Sequence, residues 1–74
     1  MYAVIELQTD ESGSMAVVTP IETRETVEAA ESLAHQKLAA AAVSSVPIHT
    51  VVVLNEYGTK IMEKCYRHAP EEGN

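Results

Sequence analysis

The sequence predicts an α+β domain: a mainly antiparallel four-stranded sheet in β-β-α-β-β order, with one helix packed on one face. Three observations carry that expectation. Residues 2–8 and 48–54 are rich in β-branched and aliphatic side chains, the first run alternating Ala3, Ile5 and Leu7 with Val4, Glu6 and Gln8. Between them Val27, Ala30, Ala34, Leu38 and Ala41 recur at three- and four-residue spacing, which aligns them on one stripe of a helix. Polar segments at residues 9–14 and 55–58 are short enough to close antiparallel hairpins.

Taken in order, residues 2–8 form the first strand, and residues 9–14 turn the chain into a second β-prone run over residues 15–21. Pro20 has no backbone N–H, so it belongs near a strand end or on a sheet edge. The helix starts somewhere between Thr19 and Thr26. Thr19-Pro20-Ile21-Glu22 has capping-box spacing, but a start there leaves the second strand too short, so Thr26 or Thr23 is the expected cap. Glu25, Glu28 and Glu31 suit the early turns, where the macrodipole favours negative charge. The helix should end at residues 43–45, because Val46 precedes Pro47 and is driven to extended geometry. Residues 48–54 are the clearest strand. Asn55-Glu56-Tyr57-Gly58 reads as a type I turn with Gly58 in the left-handed position, and residues 59–68 return as the last strand. Residues 69–74 are expected to fray at the end of a single domain over residues 1–74.

Seventy-four residues allow one small core, and a chain this short buries only about 60% of its unfolded surface. Small domains make up the deficit with disulfides, a metal or a partner subunit. Cys65 has no second cysteine to pair with, which suits a reducing compartment and leaves association or tight packing. The formal net charge is −6, from 11 acidic and 5 basic side chains. That is the wrong sign for nucleic acid or an anionic membrane as the main partner. Met1 leads directly into a strand-like run, and no apolar stretch approaches the roughly 20 residues of a membrane span. A cytoplasmic protein is the expectation.

Counting faces leads to self-association. Pairing Leu54 with Thr59 sets Val52 opposite Ile61 and Ile48 opposite Cys65 on one face. The other face then pairs Val51 with Met62, Val53 with Lys60, and His49 with Lys64. One helix covers one face, and the expected floor beneath it is Ala3, Ile5 and Leu7 with Val52, Ile61 and a buried Cys65. Val4, Val51, Val53, Met62 and Tyr66 are left bare, and a contiguous apolar patch marks an interface. These five are the expected self-association surface of a homo-oligomer, most simply a two-fold dimer. The pairing has one conflict: it turns Glu63 inward unless a bulge after Met62 resets the alternation.

Catalytic chemistry is thinly represented. His35, His49, His68 and Cys65 are the soft ligand candidates, but no three converge within a subunit and no CxxC or HxxxH pair occurs, so no metal is expected. Ser44-Ser45 sits at a helix C-terminus, where the dipole opposes an oxyanion. Gly13, Gly58 and Gly73 lie too far apart for a phosphate loop. Neither catalytic residues nor a cofactor is expected, and the chain reads as non-enzymatic. Lys60, Lys64 and Arg67 make a basic stripe on the last strand that either orients a partner or shields a sheet edge. His49, Tyr66 and His68 share a face, which makes them the contacts of the rival expectation: a small ligand or partner held between subunits.

The run TVEAAESLAHQKLAAAAVSSVPIH, from Thr26 to His49, resembles a group of small proteins encoded by phages and prophages of Firmicutes. They share a helix passing through a histidine into an alanine-rich segment, a Ser-Ser turn, a strand that starts near a histidine, and a glycine hairpin. Here those elements are His35, residues 39–42, Ser44-Ser45, His49 and Gly58, followed by Tyr66 and His68. The similarity covers most of the chain, although this chain has Ala34 where members often carry an aromatic. The group has no assigned activity, so the resemblance implies a phage-associated accessory or structural role and no mechanism.

Overall fold

Thr26 opens the helix. In the computed structural model, which describes residues 1–68, its backbone is extended and its hydroxyl accepts a hydrogen bond from the Ala29 N–H at 3.1 Å. That bond satisfies one of the donors every helix start leaves unpaired. The tail expected to fray, residues 69–74, lies outside the described residues. Helix α1 runs Val27–Ala41, slightly shorter than its alanine-rich end suggests. The Ser44 hydroxyl accepts from the Val46 N–H at 3.1 Å, a local turn that redirects the chain just before Pro47.

Five strands form one antiparallel sheet: β1 Tyr2–Thr9, β2 Met15–Val17, β3 Glu22–Arg24, β4 Ile48–Leu54 and β5 Lys60–Arg67. Strand β1 is central. Along one side it pairs with β4, Ala3 facing Leu54 and Thr9 facing Ile48, and β5 lies beyond β4. Along its other side β2 and β3 take turns. The α+β class therefore holds, with five strands where four were expected. Of the run expected over residues 15–21 only Met15–Val17 is strand. The chain leaves the ladder at residues 18–21, around a cis Thr19–Pro20 bond and a proline that has no N–H to give it. The added strand, Glu22–Arg24, occupies the segment expected to begin the helix, Thr23 included. Val18 still donates to Glu6 O at 2.8 Å, but pairing resumes two residues out of step: Leu7 faces Val17, whereas Val4 faces Glu22.

Both hairpin turns follow from their residues. Asn55 Oδ1 accepts from the N–H groups of Tyr57 and Thr59 at 2.9 and 3.0 Å, while Gly58, at φ +80°, donates to Asn55 O at 2.9 Å. The positive φ is what glycine supplies without a Cβ clash. Asp10 organises the first turn in the same way, its Oδ1 accepting from the Ser12 and Ser14 N–H groups.

The core lies between α1 and one sheet face. Ala30, Leu33 and Ala34 pack on Val4, Val51 and Val53, with Tyr2, Leu38 and Met62 at the margins. Ala30, Ala34, Val51 and Val53 are all 0% exposed. Alanines at the contact let the helix sit close to the sheet, so β-branched side chains fill the layer beneath. This reverses the expected faces. Val4, Val51, Val53, Met62 and Tyr66, expected as a self-association surface, lie on the helix-covered side. Val4, Val51 and Val53 are sealed there, out of reach of a second copy, while Met62 and Tyr66 are half-buried. The β4–β5 register also differs, with Val53 facing Met62 and His49 facing Tyr66, and the irregularity falls between Val53 and Leu54. A slip of two residues keeps a side chain on its face, so from Met62 to Arg67 the expected grouping into faces survives and only the side under the helix changes. Beyond the irregularity Lys60 faces Leu54 and not Val53, and so moves to the other set. Cys65, expected beneath the helix, is exposed.

Two expected outcomes follow. Thr26→Ala loses the cap and about 1 kcal/mol of stability, read as a lower urea midpoint at unchanged m-value. Val51→Lys buries an unpaired ammonium in the core and abolishes the far-UV helical signal at every protein concentration; a helical, merely dissociated product would contradict the burial.

Candidate functional site

Two features stand out: a polar cluster under the helix and an apolar face with no helix on it among the described residues. The cluster begins with Glu6 on β1 and His49 on β4. Both belong to the covered face and sit diagonally across the ladder, within reach of long side chains. His49 is 2% exposed and Glu6 9%. His49 Nδ1 lies 2.8 Å from Glu6 Oε2. A carboxylate only accepts, so Nδ1 carries the proton and donates. Gln8 Nε2 donates to the same oxygen at 3.2 Å.

Lys37 closes the cluster from above. It sits on the buried side of α1, three residues beyond Ala34, and its Nζ lies 3.1 Å from Glu22 Oε1 and 3.9 Å from Glu6 Oε1. The network thus ties β1, β3, β4 and α1 together. Glu6, well removed from water, is surrounded by donors, the condition under which a buried charge is tolerated.

On the other side of His49 lie Tyr66 and His68. The His49 and His68 ring centroids are 6.5 Å apart, and those of Tyr66 and His68 5.2 Å, both edge-on. His68 Nε2 lies 2.8 Å from Ala41 O and must donate to it, which caps a carbonyl at the helix C-terminus. The three residues singled out as ligand contacts are therefore brought together within one subunit, His49 buried and Tyr66 and His68 half-buried. His49 Nε2 is inaccessible and has no hydrogen-bond partner among the described residues.

A carboxylate that orients a histidine is half of an acid–base device. His49 does not line either of the two clefts beside the Asp10 turn. The larger cleft, 530 Å3, is lined by Asp10, Glu11, Ser12, Ser45, Val46 and Pro47. The smaller, 220 Å3, shares Asp10 and Val46 with it and includes Gln8. Hydrogen bonds from the Ser12 hydroxyl first, then from the Ser14 backbone, hold the Asp10 carboxyl below its usual 3.8. Asp10 therefore stays a carboxylate committed to its own turn. Among the described residues no group of three or more His, Cys, Asp or Glu side chains is placed to hold a metal ion.

The second feature is the uncovered face. The pairing puts Ala3, Ile5 and Leu7 of β1 beside Leu54, Val52 and Thr50 of β4, with Val17 of β2 opposite Leu7. Glu63 and Cys65 of β5 flank Val52 and Thr50. Val17 is 46% exposed and Ile61 42%. Glu63 is solvent-facing here, so the conflict in the expected pairing disappears. It binds Lys60 at 2.6 Å, both side chains exposed, a contact worth little by itself. No helix among the described residues is long and apolar enough to cross a membrane.

The chain matches no family model, curated protein or solved structure.

Breaking the buried pair should be costly. Glu6→Leu or His49→Leu alone is expected to lose about 3 kcal/mol by stranding a buried partner. The double variant should lose less than the sum by about 1 kcal/mol or more, measured as a urea-unfolding cycle; strict additivity would show that the two groups act independently.

Proposed function

We propose that this chain is a non-catalytic, self-associating protein, with an accessory or structural role of the phage-derived kind, that packs its uncovered sheet face against a second copy. One observation carries the reading. A single helix shields the face of Val4, Val51 and Val53, and the opposite face keeps a continuous band of Ile5, Leu7, Val17, Val52 and Leu54 with no element over it among the described residues.

An antiparallel sheet commonly keeps one face wet, and the wet face is then polar. This one is aliphatic at its centre. A patch of that kind gains roughly 25 cal/mol for each Å2 of apolar surface removed from water, before the costs of association. A second copy is the occupant that the chain itself supplies at the same concentration, and stacked sheets meet about 10 Å apart through such side chains. A two-fold arrangement satisfies both faces at once.

The test is solution mass by size exclusion with light scattering, for the native chain and for Val52→Lys. Val52 projects from the uncovered face, so the variant is expected to keep its helical signal and fold while its mass falls by half or more. A native protein that is monomeric at every concentration tested would overturn the reading.

A further inference from the structure

Resting on the reading that the chain self-associates, we propose that β5 is a second contact, pairing antiparallel with β5 of another copy about a two-fold axis at Cys65.

The two edges of the sheet are unlike. The β2–β3 edge is two three-residue pieces separated by residues 18–21 with Pro20 among them. The β5 edge is one eight-residue strand, Lys60–Arg67, and follows β4 as the last strand of the sheet. An uninterrupted edge is a template for another strand.

The ladder phase shows which groups it offers. His68 donates to Pro47 O at 2.8 Å across the β4 side. In an antiparallel pair the backbone groups alternate in direction. With Ile48 opposite Arg67, Thr50 opposite Cys65 and Val52 opposite Glu63, the N–H and C=O groups of Glu63, Cys65 and Arg67 must point away from β4 into the open edge.

Register then follows from charge. Centring the two-fold axis on Cys65 sets Glu63 opposite Arg67 of the other copy, and symmetry makes that pair twice. It also sets Lys64 opposite Tyr66, ammonium against ring. Moving the axis to Lys64 places two ammonium groups opposite each other, and moving it to Glu63 does the same with two carboxylates. Like charges directly opposite are unfavourable, whereas opposite charges contribute. The strand is self-complementary in the Cys65 register and self-repelling in the Lys64 and Glu63 registers. Edge pairing also brings two uncovered faces into one plane, so it adds to face packing and does not compete with it.

The test combines amide hydrogen exchange with charge reversal on the full chain. On association, the Glu63, Cys65 and Arg67 amides should slow by about tenfold or more, as groups entering a ladder do. Glu63→Arg and Arg67→Glu, which set like charges opposite each other twice, should each weaken association about tenfold. The double variant should restore it. Association that leaves those three amides fast, or single and double variants that associate equally well, overturns the edge contact and leaves the face reading standing. Protected amides and charge rescue in a protein whose mass is unchanged by Val52→Lys support the edge contact and overturn the face reading. A monomer at all concentrations overturns both.

Discussion

One helix can dry only one side of a sheet, and that inequality organises this molecule. Helix α1 lies on Val4, Val51 and Val53 through Ala30, Leu33 and Ala34, and no other helix is present among the described residues. The layer under the helix is built from small side chains, so it gains closeness of approach more than volume. The remaining aliphatic surface is therefore left on the far side. A chain of 74 residues has little margin to leave apolar area unused.

The polar cluster answers a different constraint. Glu6 and His49 occupy positions on the covered face where the alternation of β1 and β4 demands inward side chains. With a polar residue at each, the stable solution is mutual pairing, completed by Gln8 and by Lys37 from the helix. Such a pair contributes modestly to net stability, yet it penalises any arrangement that separates its members. It ties the helix to a particular end of the sheet, where alanines alone would permit sliding. His68 does related work beside the pair, about one helical turn beyond Lys37, by binding Ala41 O.

Much of this was readable from residues alone. Thr26 as cap, the stripe through Ala30, Ala34 and Ala41, and the Asn55–Gly58 turn are local signals decided within a few residues. The partition of β-strand side chains into two sets was equally readable, because alternation is a property of the backbone. Which set lies under the helix was not. Both sets contain aliphatic residues interrupted by polar ones, and the choice depends on strand order. β3 and β4 each run antiparallel to β1 and flank it, so α1 joins two parallel strands, a connection with a strongly preferred hand. Only the order β3-β1-β4 turns that preference into a side, and β3 falls at Glu22–Arg24, beyond the run that read as a strand and where the helix was expected to begin. Glu63 was the available hint, since a carboxylate forced inward argues that the face is wet. The Glu6–His49 bond joins residues 43 apart in sequence, and nothing local announces it.

The interruption at residues 18–21 has a consequence for growth. Sheets that extend by edge addition become filaments only when each newly joined unit displays another competent edge. Here a unit that joins through β5 turns its β2–β3 side outward, where two short pieces out of step with each other and a proline without an N–H make a poor template. The ribbon stops where it began. A small, partly aliphatic β-protein can in this way carry one adhesive strand without propagating into fibrils, because its opposite rim acts as a built-in chain terminator.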